Sequence, residues 1–424
     1  MNWKKERLKT LGWLRSAGVN KLIDLNQKEV RLINYMDVYR NHQITDKIEF
    51  QKVTAKDSEI VNANVVIGDV LFTPSSEKPT DIGHAGVVMQ NLKDTVYSYH
   101  LVRFRFHDIS KFNPLFLSYL LNTNKAEKHF VTRATGTTRY TLSLKDFQSL
   151  EIEYPDDVKE QKVIATILSK VDEAIKATEN SIQAAEKLKK SLMQNLLTGK
   201  LKTDGTWRKE EEFYKDEKFG NVPEGWEVKR VEQLVNRRTD NFDPLKSSES
   251  YDYIGLEHIL PNEFRRDGVG KSDETLALKI KFFIGDVLLG KLRPYLNKVW
   301  IADLNGVGST EFLVFECNKY SKWAYLNFQS KRFLDFTQSV TAGTQHPRAS
   351  YRDVKRFLLS VPKDDNEMDL ITNAIISTEK LKADKLVRIK MLQRLKKSLM
   401  QNLLTGKVRV DVNKIEKLLA NATV

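Results

Sequence analysis

The chain has 424 residues, more than one ordinary core holds, so two to four domains of roughly 100–200 residues each are expected. Hydrophobic residues make up 41% and charged residues 29%, which excludes a disordered chain, and Gly 19 with Pro 10 excludes a collagen-like one. Lys+Arg 69 against Asp+Glu 56 leaves a net charge of +13, which favours a polyanionic partner and says nothing about fold. The start, Met1-Asn2-Trp3-Lys4-Lys5-Glu6-Arg7, is basic, but Arg15 interrupts the next apolar run, so no secretory signal is expected. No apolar stretch reaches the roughly 18 residues of a membrane span, and a cytoplasmic location with no membrane partner is expected.

Residues 1–155 hold short apolar runs between turns, with a helical pattern at Pro114-Leu115-Phe116-Leu117-Ser118-Tyr119-Leu120-Leu121. Pro155 ends this region, and Asp156 or Asp157 can cap a long helix that meets no Pro or Gly before Gly199. Its apolar positions follow a heptad. One seam position holds Ile164, Val171, Thr178, Ala185 and Leu192, and the other Leu168, Ile175, Ile182, Lys189 and Leu196. Thr178 and Lys189 are the exceptions, and such a seam requires a partner helix. Residues 201–219 are polar and poorly patterned and read as a linker.

From 220 the order repeats. Tyr251–Leu256, Phe282–Leu289 and Phe312–Phe315 fit strands, and Ala324–Phe328 fits a helix. A second long helix follows over 364–407, with Ile371, Ile375, Leu392, Leu399 and Leu403 in its seam and Lys382, Lys385 and Lys396 as interruptions. A tail over 408–424 ends the chain. The thirteen residues Leu188–Lys200 recur unchanged at Leu395–Lys407, an offset of 207. Gly136-Thr137 aligns with Gly343-Thr344, Asp146 with Asp353 and Pro155 with Pro362. Ile67-Gly68-Asp69-Val70-Leu71 recurs as Ile284-Gly285-Asp286-Val287-Leu288. A period this long marks a duplicated mixed α/β or α+β domain, not a solenoid, and two helices in one chain pair most economically with each other.

No catalytic set stands out. The phosphate-binding pattern G-x-x-x-x-G-K-[ST] is absent, and the seven histidines form no pair at metal-ligand spacing. Cys317 is the single cysteine, so an intramolecular disulfide is excluded, and its apolar neighbours read as core. The carboxylates after Pro155 open a helix, where they suit its dipole. The sequence reads as that of a binding protein, with no catalytic and no metal-ligating residues expected.

Pro155, Glu160-Gln161, Ile164-Ala165, Leu168 and Val171-Asp172, the twice-used Leu-Leu-Thr-Gly-Lys ending, Val222-Pro223-Glu224-Gly225-Trp226-Glu227 and the two Ile-Gly-Asp-Val-Leu runs together resemble the specificity subunit of type I restriction-modification systems. The resemblance spans nearly the whole chain. Two departures stand out: the first half shows only Gly12-Trp13 where the second has Pro-Glu-Gly-Trp, and Glu367-Met368 replaces Glu-Gln.

The resemblance implies two tandem target-recognition domains, 1–155 and 220–363. Each is followed by a long helix, 156–200 and 364–407, and the two helices pair as an antiparallel coiled coil with pseudo-twofold symmetry. It implies double-stranded DNA as ligand, with each domain reading half of a bipartite target. Two modification subunits would dock, carrying S-adenosylmethionine, and two restriction subunits, using ATP and Mg, can join. This chain itself would hold no cofactor and perform no chemistry. The seam residues Ile164, Leu168, Val171, Ile175, Ile182, Leu192 and Leu196, with Ile371, Ile375, Leu392, Leu399 and Leu403, are assigned to pairing and docking.

Two pairs of matched loops have the residue types that contact DNA. In the first half they supply Lys78 and Arg133, Thr137, Thr138 and Arg139. In the second they supply Lys291, Arg293 and Asn297, with Thr344, Gln345, His346 and Arg348. Residues 157–200 as a helix extend about 66 Å at ~1.5 Å per residue, an upper bound near 19 base pairs at ~3.4 Å each.

Overall fold

The computed structural model describes residues 3–421 apart from 264, 275 and 342–344. The chain divides into two compact units, Met1–Lys176 with Met391–Val424, and Ala177–Lys390. Each unit therefore contains one globular region, the near half of one long helix and the far end of the other. The central helix runs Val158–Asn195 and the distal helix Asp365–Leu403. Asp157 rather than Asp156 caps the central helix, accepting from Lys159 N at 2.9 Å. Among the described residues no helix is long and apolar enough to cross a membrane.

In the first unit a five-stranded sheet has the order Gly12–Arg15, Val102–Phe106, Val70–Phe72, Ala85–Val88, Gln43–Ile44. A three-stranded sheet, Gln51–Ala55, Lys28–Ile33, Thr95–Tyr97, lies in the same unit. The second unit has sheets of the same sizes. Its five-stranded sheet includes Lys279–Phe282 and Gly306–Ser309, and its three-stranded sheet orders Val299–Ile301, Val287–Gly290, Phe312–Phe315. Val70–Phe72 and Val287–Gly290 are the two copies of the repeated Val-Leu strand. Each is buried throughout and flanked by an antiparallel strand on both sides, which suits β-branched and aromatic residues.

The Ile-Gly-Asp part of that repeat is a turn. Gly68 and Gly285 have φ of 85° and 89°, which a side chain would strain. The following aspartates, both buried, accept the backbone N–H three residues back, Val66 at 2.8 Å and Phe283 at 2.9 Å. Arg105 and Arg238 neutralise them at 2.7 and 2.8 Å. Phe282–Leu289, expected as one strand run, is therefore broken at the turn, with Phe283 and Ile284 exposed.

Two further expectations change. Residues 201–219 are folded, because strand Phe213–Asp216 pairs with Gly220–Pro223 and Tyr214 and Phe219 pack on the core; polar composition hid these aromatic anchors. The first domain is entered at Trp3, not at Gly12-Trp13. Strand Trp3–Arg7 pairs with Glu151–Pro155 and sets Trp3 opposite Pro155, as Trp226–Arg230 pairs with Leu358–Pro362 and sets Trp226 opposite Pro362. Trp13 sits in another strand, half-exposed beside Arg103 and Arg105.

Candidate nucleic-acid interface and helix junctions

In the first unit the fold brings the two nominated loops together. Ser75–Ser76 pairs with Tyr140–Thr141 as a short ladder. The Arg139 guanidinium donates to Ser75 Oγ at 2.9 and 3.2 Å, and the Tyr35 hydroxyl donates to the Ser75 carbonyl at 2.9 Å. Thr135 and Thr141 exchange backbone bonds of 3.1 and 2.8 Å, closing a tight tip that exposes Thr137 and Thr138. Gly136 at φ 137° permits the closure, since a Cβ there would lie 2.1 Å from the Arg139 carbonyl oxygen. Lys78 is exposed on the partner loop, and Arg133 folds back onto the His129 carbonyl at 3.1 Å.

Tyr35, Tyr99 and His100, with Lys21 nearby, were not singled out in the sequence and lie beside these loops. Burial first, then the nearby cations Lys21 and Arg139, hold the His100 imidazole below its usual range, and the tilted Tyr99 ring lies against it with ring centres 3.9 Å apart. Lys21, Tyr35 and the adjacent pair Tyr99-His100 lie far apart in the chain and share no motif, so only the fold gathers them.

The second unit repeats the convergence. Arg293 N donates to the Pro347 carbonyl at 2.8 Å, Ala349 N donates to the Lys291 carbonyl at 2.9 Å, and Leu292 bridges Arg348. Arg293, Gln345, His346 and Arg348 are exposed, and Arg348 pairs with Glu311 at 3.2 Å. Burial lowers the pKa of the half-buried Lys291. Asn297 is corrected: it is only 5% exposed, has φ 51°, and donates to Asn262 Oδ1 at 2.6 Å, so it braces the loop and does not face a groove. Thr344 lies outside the described residues.

The long helices meet in both units, and the seam interruptions explain how. In the first unit Lys396 of the distal helix pairs with Asp172 of the central helix at 2.6 Å, and the Tyr119 hydroxyl donates to the same carboxylate at 2.8 Å. In the second unit Lys189 of the central helix pairs with Glu379 of the distal helix, and the Tyr325 hydroxyl donates to it at 2.9 Å. Lys189 and Lys396 share a place in the 207-residue repeat, as do Asp172 and Glu379. Each globular region is thus tied to both helices by the same tyrosine–carboxylate–lysine junction, with the helices exchanged. Burial, reinforced by the carboxylate, pushes both tyrosines well above their usual range, so they remain donors. Lys382 adds pairs to Glu186 at 2.9 Å and Glu263 at 2.8 Å. The helices run antiparallel, because a step forward from Glu186 to Lys189 is matched by a step back from Lys382 to Glu379.

Of the seam residues, Ile164, Leu168, Ile182, Leu196, Ile371, Ile375 and Leu403 are buried, and Val171, Ile175, Leu192, Leu392 and Leu399 are partly so. The signature Glu-Gln also has a structural role. Glu160 pairs with Arg409 at 2.7 Å, and Gln161 accepts from Asn113 N at 2.9 Å and donates to the carbonyls of Lys111 and Pro155. In the second copy Glu367 pairs with Arg208 at 2.6 Å, while Met368 fills its place with apolar packing. Arg409 and Arg208 also lie over Trp3 and Trp226, at 5.9 and 5.6 Å.

Among the described residues no three His, Cys, Asp or Glu side chains are grouped to hold a metal ion. In each unit paired surface loops present Arg, Thr or Gln, the residue types that suit contact with DNA. The family model for the type I restriction modification DNA specificity domain matches residues 3–187. Two curated relatives come from Methanocaldococcus jannaschii. The type I restriction enzyme MjaVIII specificity subunit is 25% identical over 85% of this chain and 83% of its own length. The putative MjaX specificity subunit is 23% identical over 84% and 82%. The crystal structure of a type I restriction-modification S subunit from M. genitalium superposes with a TM-score of 0.58 at 14% identity, covering 95% of this chain and 96% of that one, a likeness of fold. Over residues 3–187 the chain matches that specificity domain, and over most of its length it is similar to curated type I restriction enzyme specificity subunits.

Proposed function

We propose that each globular domain reads one half of a bipartite DNA target, and that the paired helices set the spacing and dock two modification subunits. Methyl transfer from S-adenosylmethionine resides on those partners, and ATP- and Mg-dependent cleavage on restriction subunits that join them. The observation that carries this reading is the tyrosine–carboxylate–lysine junction, built twice with the two helices exchanged. A surface repeated about a pseudo-twofold holds two copies of one partner. The buried seam is used by the chain itself, so docking falls to exposed apolar residues of the helices, among them Leu188, Leu395, Leu381 and Met391. Leu188 and Leu395 open the two identical thirteen-residue segments.

Co-expression with a modification subunit, followed by mapping of methylated sites, tests the reading. The expected motif has two specified halves around an unspecified spacer. Arg139→Ala with Thr138→Ala alters only the half read by the first unit, and Arg348→Ala only the other, each lost base contact weakening discrimination roughly 10- to 100-fold. A contiguous motif, or methylation that does not depend on this chain, overturns it.

A further inference from the structure

The repeated turn before the Val-Leu strand holds apolar side chains in solvent in both units. In the first unit Val66 and Ile67 are 40% and 38% exposed, and in the second their counterparts Phe283 and Ile284 are 46% and 60% exposed. The backbone beneath them is bonded the same way twice. Gly68 N donates to the Val88 carbonyl and Gly285 N to the Ala302 carbonyl, both at 2.9 Å. Val88 N donates back to the Asp69 carbonyl at 2.9 Å, and Ala302 N to the Asp286 carbonyl at 2.8 Å. A Cβ on Gly68 would meet the Ile109 side chain at 2.3 Å, and one on Gly285 the Cys317 sulfur at 2.5 Å. The turn thus needs its glycine and its buried aspartate, but its bonds place no demand on the side chain at 67 or 284. The aspartates are neutralised in different ways, by Arg105 from the strand after the turn and by Arg238 from a segment before it. The apolar pair above them is nevertheless present in both units. An aromatic ring stands at each arginine: the Trp13 ring centre is 5.7 Å from the Arg105 guanidinium, and that of Phe283 is 4.7 Å from Arg238.

Each turn lies at the opposite end of its strand from the loop nominated for DNA. Val70–Phe72 leads from the first turn toward Ser75, and Val287–Gly290 from the second to Lys291. Strands of three and four residues separate the ends by about 10–13 Å at ~3.3 Å per residue. Exposed carboxylates stand beside both turns. Asp108, next to Ile109, meets Lys111 at 3.8 Å, and Asp240 and Glu316 share Arg238 with the buried Asp286. Carboxylates repel phosphate and suit a cationic side chain, while the apolar pair suits another apolar group. We propose that the two turns form a duplicated docking surface for the modification subunit. One copy seats an apolar side chain flanked by Lys or Arg on Val66-Ile67, and the other copy seats the same group on Phe283-Ile284. A partner present twice accounts for an apolar pair present twice, whereas the loops nominated for DNA differ between the units. The turns are ordered by their own bonds before binding, so docking loses little conformational entropy there. The proposal rests on the docking of modification subunits argued above and deepens it, adding one contact on each globular domain to those on the helices.

The test places the photocrosslinker p-benzoylphenylalanine at Ile67 and, separately, at Ile284, in the full chain co-purified with a modification subunit. Leu25 and Leu245, both more exposed than either isoleucine, serve as control positions. Crosslinking to the modification subunit is expected from both turns at least tenfold above the controls. Crosslinks from the turns to DNA or to a second copy of this chain overturn the proposal and leave the docking reading standing. So do yields no higher than the controls in a complex that still holds two modification subunits. Absence of any complex with the unsubstituted chain overturns both. As a second measurement, Ile67→Lys and Ile284→Lys each set a cation against the partner's own. Titration followed by native mass spectrometry is expected to show one of the two modification subunits held at least tenfold more weakly in each variant, with the melting temperature unchanged. Folded variants that hold both copies as tightly as the unsubstituted chain also overturn it.

Discussion

Gly199 and Gly406 end identical thirteen-residue sequences, yet they meet different neighbours. Both hold positive φ, 70° and 69°, as a helix-terminating glycine does. A Cβ on Gly406 would sit 3.0 Å from the Trp3 ring, a tight contact at a domain edge. A Cβ on Gly199 would sit 2.2 Å from Pro223 Cγ, and that ring is held by the Phe213–Pro223 hairpin. Gly406→Ala therefore costs mainly the left-handed backbone penalty, about 1–2 kcal/mol. Gly199→Ala adds an overpacking cost of about 1–3 kcal/mol more. Thermal unfolding of the two variants checks this, and equal losses would contradict the contrast. Residue identity alone could not show the difference, because the local sequences match to the last atom and only the tertiary neighbours differ.

Among elements, the helix pair was the most legible in the sequence, and its ion pairs were the least. The heptad of Ile164, Leu168, Ile182 and Leu196 marked a buried seam because apolar periodicity is a local property. Lys189 and Lys396 read as flaws in that seam, since their partners Glu379 and Asp172 lie about two hundred residues away. The strand entered at Trp3 was missed for a related reason: its pairing with Glu151–Pro155 joins opposite ends of a domain and leaves no local signal. The loop convergence at Arg139 and Ser75 was half legible, since the matched loops singled out both segments, but Asn297 was assigned by type where burial decides. The two lysines differ in what they leave behind. Glu379 has 4% of its side chain exposed and Asp172 36%. Lys189→Ala strands a buried carboxylate and is expected to cost about 3 kcal/mol or more. Lys396→Ala leaves a carboxylate that water can reach, at a cost of about 1 kcal/mol or less. Denaturant melts at matched pH distinguish them, and an equal or reversed order would sink the argument.

At the scale of the whole chain, each unit is closed by residues distant in sequence. The first unit takes in Met391–Val424, and Leu403, Leu404, Val410 and Val412 are nearly fully buried in its core. Burying four such side chains contributes about 6–12 kcal/mol at ~1.5–3 kcal/mol each. That equals the whole stability of a typical domain, about 5–15 kcal/mol. Ending the chain after Lys390 also removes Arg409 from the buried Glu160 and Lys396 from Asp172. The truncated protein is therefore expected to unfold at its amino-terminal end, hundreds of residues from the cut. The second unit, Ala177–Lys390, keeps every contact made within it. Hydrogen exchange reads this directly. Amides of Val70–Phe72 and Val102–Phe106 should lose protection while those of Val287–Gly290 and Phe312–Phe315 retain it. Retained protection in both sets would mean that the first globular region closes its core without the distal helix. The two long helices would then serve docking alone and not the folding of the domains they connect.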